Sequence, residues 1–298
     1  MFEDGAPQEI SFFGQEDIPL RVILALPSPF PHSPGPGALP ARYESFKESI
    51  ERARRLALRV VESVHPGDSV GIFTICGGDI SLTLPLTDDL VKVREQLEKM
   101  GVQGTCERGA IIGLHRRMLM EVVKYTSHTN RYPGRISRPI ILILNEDLVD
   151  PSRPEFPLKD LVAEIISSGA TICAIDLQTP FGKYVTIAKG IFYPSGIGYF
   201  HLRSKLLGYF SDLTGGLTVK ENVEKPEATV KRIAVFLENM RRGYVLGFKP
   251  SRDRSEGRLV KIKVELSPLA RKKNKDAQLR HRHGYIVAAG TEGGAACR

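Results

Sequence analysis

Three segments restrict the architecture more than anything else in the chain: VILAL at 22–26, RPIILILN at 138–145 and ATICAI at 170–175. None of them alternates apolar with polar residues. A strand with one wet face alternates, whereas a continuous apolar run belongs to a strand covered on both faces, as in a parallel sheet sandwiched by helices. The segments between them agree. Phe46, Ile50, Ala53, Ala57, Val60, Val61 and Val64 recur at helical spacing up to the HPGD stop at 65–68. SVGIFTIC (69–76) and DISLTLPLT (79–87) read as a hairpin across Gly77 and Gly78. TDDLVKVREQLEKM (87–100) is expected to be a helix with Thr87 as N-cap, and further helical patterns run from Ala110 to Tyr125 and through LKDLVAEIISSG (158–169).

Residues 17–242 are therefore expected to form one α/β domain with helices on both faces of its sheet, closed by the helix PEATVKRIAVFLENMRRG (226–243). Beyond it the pattern turns to β, with YVLGFKP, RLVKIKVEL and HGYIVAA separated by polar turns, which makes 243–290 a separate set of strands. The tail at 291–298 is expected to be disordered.

Charge and composition exclude several classes. No stretch approaches the roughly 20 apolar residues of a membrane-spanning helix, and MFEDGAPQEI lacks the basic start and apolar core of a secretory signal. The formal charge is +8, and much of the excess sits in RKKNKDAQLRHRHG at 271–284, where Arg271, Lys272, Lys273, Lys275, Arg280 and Arg282 are candidates for holding an anionic partner. The alternative is a solvated loop between two strands. With no aromatic residue between Arg271 and His283, a single-stranded nucleic acid would lack a stacking platform, so nucleic acid is not the expected partner. The four cysteines, Cys76, Cys106, Cys173 and Cys297, include no CxxC, and Cys76 and Cys173 read as core thiols. There is no phosphate loop and no GxSxG turn, and SGIGYF (195–200) fails as a dinucleotide fingerprint. His281 and His283 have no third ligand near them in sequence. No enzyme activity is expected.

EDGAPQEISFF near the start, DSVGIFTIC, LPLTDD, FSDLTGG (210–216), RRGYVLGFKPSRDRSEGRLVKIKVEL and RHRHGYIVAAG together resemble the von Willebrand factor A (VWA)-related domain proteins of the acidobacterial type. The resemblance spans nearly the whole chain. It implies a Rossmann-type, mostly parallel sheet flanked by helices, with a metal-ion-dependent adhesion site at the sheet's carboxyl edge. It also implies that residues 1–16 supply a strand, QEISFF at 8–13, to the small C-terminal β unit.

Placed on the family's DxSxS motif, LPSPF puts Leu26 at the Asp, Ser28 at the first Ser and Phe30 at the second. Thr105 in QGTCERG keeps the family's Thr, and Asn145 stands where the fourth strand usually ends in Asp. Ser28, Thr105 and Asn145 offer neutral oxygens, which suit a turn, a helix cap and a loop hydrogen bond as well as they suit a ligand set. A small, hard Mg²⁺ ion is normally held by carboxylates, so a metal-free site is expected, with Glu146 and Asp147 as the residues that could compensate.

The resemblance further separates Cys76 from Cys173 by intervening strands, beyond the roughly 7 Å Cα limit for a disulfide. Family members usually continue upstream of FEDG, so the β unit is expected to expose an edge open to a partner or to self-association. They are also commonly exported, which leans the expected location toward the cell envelope. Three readings follow: a protein-interaction module with a degenerate, metal-free adhesion site, a Mg²⁺-dependent module with a rearranged site, and a binder of anionic partners through 271–283.

Overall fold

The structure, a computed structural model, describes residues 1–15, 17–27, 40–76, 79–100, 116–130, 137–145, 158–177, 207–250 and 257–287. Its centre is a six-stranded sheet. In chain order the elements that build it are β4 (Leu20–Pro27), α1 (Pro40–Val61), β5 (Ser69–Cys76), β6 (Asp79–Thr87), α2 (Leu90–Lys99), α3 (Arg116–Asn130), β7 (Arg138–Asn145), α4 (Leu158–Ser168), β8 (Thr171–Asp176), α5 (207–214), β9 (Thr218–Lys220) and α6 (Pro226–Arg241). The strands lie in the order β6-β5-β4-β7-β8-β9. All neighbours are parallel except β5 and β6, the expected hairpin.

The unbroken apolar runs explain the layering. On β4, Leu20, Val22, Leu24 and Leu26 pack with α1, α2 and α6, while Ile23 and Ala25 pack with α3, α4 and α5. β7 divides in the same way, with Ile140, Leu142 and Leu144 on one side and Ile141 and Ile143 on the other. Successive side chains of a strand point to opposite faces, so two covered faces favour apolar residues at nearly every interior position. From β4 the chain crosses to β5 through α1, and from β7 to β8 through α4, in opposite directions along the sheet. Right-handed crossovers then put α1 and α4 on opposite faces.

Helix α2 starts later than its sequence suggests. Thr87 is the last residue of β6, and Asp89 is the N-cap, its side chain accepting from the amides of Val91 and Lys92. Thr87 Oγ1 instead accepts from the Asp89 amide at 3.1 Å. The strand's demand for Thr87 outweighs its capping propensity. Cys76 and Cys173 sit on β5 and β8 with β4 and β7 between them, and Cys173 is a buried free thiol whose pKa burial pushes up to about 12.

The segment FSDLTGG acquires a physical reason. Thr214 Oγ1 accepts from the Ile172 amide at 2.9 Å and donates to Phe210 O, which locks the end of α5 to β8. Gly215 then takes φ +74°, the left-handed turn that ends many helices. A Cβ on Gly216 would lie 1.8 Å from the carbonyl oxygen of Ile172.

Two small antiparallel sheets join the chain's ends. β1 (Phe2–Glu3) lies between β2 (Ala6–Pro7) and β11 (Leu259–Lys263), with β12 (Gly284–Ile286) outside β11. β3 (Ile10–Gln15) pairs with β10 (Tyr244–Phe248) as a separate two-stranded ribbon. The N-terminal segment thus pairs with the C-terminal strands, but as two sheets, and with Phe2–Glu3 as well as the QEISFF region. The basic run also differs from a plain loop between strands, because Pro268–Lys273 forms a short helix, α7, capped by Ser267.

Gly216→Ala is expected to lower unfolding free energy by about 1–3 kcal/mol, because the backbone of β8 or β9 must shift. Gly208→Ala, whose Cβ would meet nothing within 4 Å, should be neutral or stabilise by up to about 1 kcal/mol. Urea titration of the two variants checks the pair, and equal effects would refute the close-approach argument.

Candidate functional site

Where neighbouring crossovers leave in opposite directions, the helices part and leave a crevice at the carboxyl ends of the strands. Here that point lies between β4 and β7, whose last residues are Pro27 and Asn145. The flanking strands end in Asp176 (β8) and Lys220 (β9), and the register pairs Asn145 with Asp176 and Asp176 with Lys220.

Of the adhesion-site positions, Leu26 and Asn145 are at this edge. Leu26 is 1% exposed and belongs to the apolar cluster with α1 and α6, so its side chain is part of the core. Asn145 closes β7. Ser28, Phe30, Thr105, Glu146 and Asp147 lie outside the described residues.

Asp176 is a carboxylate that motif placement overlooked. It is half-buried, and burial raises its carboxyl above the ordinary range while the Lys220 charge partly restores it. Glu221 follows β9 and donates its amide to Asp176 O at 2.9 Å. Burial likewise raises its carboxyl, opposed chiefly by Arg52 of α1, whose Nε stands 3.3 Å from Glu221 Oε1. Glu221 Oε2 is buried with no hydrogen-bond partner among the described residues. A carboxyl group held above its ordinary range favours any cationic or hydrogen-donating group that reaches it, because that contact offsets part of the desolvation. The sequence signal was an Asp closing a doubly covered strand, ATICAID, which is where α/β ligand sites gather.

The basic segment lies at the opposite, amino edge. Arg280 Nη1 donates to Gly216 O at 2.6 Å, just past α5, and Arg282 Nη1 to Ile166 O at 3.0 Å, in the last turn of α4. These guanidiniums satisfy carbonyls at helix C-termini, where positive charge is also favoured by the helix dipole. Arg271, Lys272, Lys273 and Lys275 are exposed on α7 and just after it. His281 and His283 face each other with ring centroids 5.0 Å apart. Burial lowers the His283 pKa, helped by His281 and opposed by Asp212. Among the described residues, the structure therefore does not bring the basic segment together with Leu26 and Asn145.

No family model matches the chain, and no curated protein matches it. Among solved structures, an aerotolerance-related membrane protein from Bacteroides fragilis aligns at 13% identity over 74% of this chain and 100% of that one, with a TM-score of 0.42. A von Willebrand factor type A protein from Catenulispora acidiphila aligns at 11% identity over 78% of this chain and 52% of that one, with a TM-score of 0.41. The SpRpn10 VWA domain aligns at 15% identity over 52% of this chain and 74% of that one, with a TM-score of 0.30. These likenesses are too loose to carry weight. The strand order and the two helical layers by themselves define an α/β protein with a mostly parallel, doubly covered sheet.

Asp176 supplies a test of the site's electrostatics. Its folded pKa lies above the unfolded value, so the folded state holds the proton more tightly and this group's contribution to stability falls as pH rises through that interval. The melting temperature of Asp176→Asn relative to the parent should therefore climb from about pH 4 toward neutrality and then level off. A difference independent of pH would refute the burial argument.

Proposed function

We propose that this chain is a protein-binding module of the von Willebrand factor A type, not an enzyme, and that its carboxyl edge works without a metal ion. The observation that carries the reading is Leu26. At the position where the family places the first Asp of its metal motif, β4 presents a leucine that is 1% exposed and built into the core against α1 and α6. No small adjustment of the following loop turns that position into a ligand. On the family alignment Asn145 replaces the second Asp with a neutral residue, and Ser28 and Thr105, which keep the family's Ser and Thr, are neutral as well. Neutral oxygens alone offset little of the dehydration cost of Mg²⁺.

A second reading, a Mg²⁺-dependent module with a rearranged site, is favoured by one observation: Asp176 stands beside Asn145 in register and could supply the missing charge. Glu146 and Asp147 would be its companions. The third, an anion binder, keeps only Arg271, Lys272, Lys273 and Lys275 as side chains not engaged with the helix ends.

Thermal melting in EDTA and then in millimolar Mg²⁺ or Mn²⁺ separates the first two. A ligand at about 100 times its Kd adds roughly 2.7 kcal/mol to the folded state, a shift of several degrees. The metal-free module should show no shift. A shift that disappears in Thr105→Ala and Asp176→Asn would establish the rearranged site instead.

A further inference from the structure

Along the amino edge of the main sheet runs an open groove of about 3040 Å³, bounded by the β3–β10 ribbon, the outer face of α6 and the segment 278–282. Small-molecule pockets occupy roughly 300–1,000 Å³, so this space is on the scale of a polypeptide segment.

Its walls combine two unusual features. The ribbon has only two strands, and among the described residues each has one unpaired edge. Every residue of β3 except Gly14 is exposed, including Ile10 at 42%, Phe12 at 48% and Phe13 at 64%. Phe13 stacks on Tyr244, itself 62% exposed, with centroids 5.0 Å apart. Val235 on α6, 52% exposed, extends the apolar surface across the groove. A two-stranded ribbon is marginal in water without a third strand or further cover. The second feature is charge. Lys231 and Arg232 of α6 and Arg242 just after it, the last paired with Glu238 at 2.7 Å, line the groove with Arg280 and Arg282 against the acids Glu164 and Glu265.

We propose that the groove receives an extended segment of a partner protein, alternating acidic and apolar residues, which adds as a third strand to the free edge of β3. Main-chain hydrogen bonds complete the ribbon, apolar side chains cover Phe12 or the Phe13–Tyr244 stack, and carboxylates meet the bases of α6. A second copy of this chain is a poorer occupant, since each copy carries a formal charge of +8 and would bring the same positive groove to the contact. The proposal rests on the reading of the chain as a binding module and assigns that module a surface distinct from the carboxyl edge.

The test uses the full chain and a fluorescein-labelled peptide of about ten residues alternating glutamate and valine, the length of a long strand. A peptide with lysine in place of glutamate serves as comparator. Fluorescence anisotropy should show binding of the acidic peptide only, weakened about tenfold or more in the double variant Lys231→Glu/Arg232→Glu and in high salt. Hydrogen exchange should show the amides of residues 11–15 slowed by the peptide in the parent chain. No binding at millimolar peptide, equal binding of the lysine peptide, or binding that leaves the β3 amides unchanged would overturn the proposal. So would protection of β3 that rises with protein concentration alone, which would identify a second copy. These outcomes are independent of the metal-melting result, so a failure of this surface and a failure of the metal-free reading are told apart.

Discussion

The buried carboxylate of Asp68 holds the amino edge of the molecule together. It accepts from the Leu20 amide at 2.7 Å and the His65 amide at 3.0 Å, and it pairs with the Arg241 guanidinium. Three separate parts of the chain therefore meet at one side chain: the first residue of β4, the turn leading into β5 and the last turn of α6. Both Asp68 and Arg241 are almost fully buried, and removing one partner of such a pair costs about 3–5 kcal/mol because the other is left charged in the core. The consequence reaches further along the chain. The Ile18 amide bonds Arg241 O, and Arg138 at the start of β7 donates to Met240 O and Gly243 O. With the end of α6 fixed, β10 begins beside Gln15, whose side chain donates to Arg242 O at 2.8 Å. The ribbon exists where it does because Asp68 fixes the helix that precedes it.

The two edges of the sheet thereby acquire different chemistry. At the carboxyl edge the strands end in Pro27, Asn145, Asp176 and Lys220, with the raised carboxyls of Asp176 and Glu221 facing Lys220 and Arg52. At the amino edge the helices end, and arginines from distant parts of the chain gather over their carbonyls. Binding roles for the two edges are separable in this geometry, since the core of the sheet lies between them.

Much of the sheet was legible because the signal was simple. A strand with both faces covered favours apolar residues at nearly every position, so β4, β7 and β8 stand out in the sequence as nearly continuous apolar runs. The boundary at Thr87 was not legible, because a threonine serves a strand end and a helix cap equally well until the hairpin register decides. The pairing of residues 2–3 and 10–15 with the C-terminal strands has no local signature, because it depends on contacts between the two ends of the chain; the family resemblance suggested a strand at 8–13, and the pairing of Phe2–Glu3 was not anticipated. Asp176 was missed for a different reason. The motif alignment points to the carboxylates nearest Asn145 in sequence, Glu146 and Asp147, whereas strand register places one from β8 beside Asn145. Arg280 and Arg282 looked like part of a charge run, since sequence does not reveal which carbonyls a guanidinium will find.

Those arginines also show how a structural requirement gathers bases at one edge of the sheet. In an α/β layer the helices that return from the carboxyl edge finish at the amino edge, and each leaves carbonyls without intrahelical partners. Arg282 supplies a donor for α4, Arg280 for the turn after α5, and Arg138 for the end of α6. Lys231 and Arg232 of α6 add exposed positive potential to the same edge, in contrast to Arg241, which is buried against Asp68. Such a potential attracts acidic segments without selecting among them. Selection must come from geometry, and the edge of β3 left unpaired among the described residues, with its aromatic rings, is the feature of this groove that would provide it on the proposed reading.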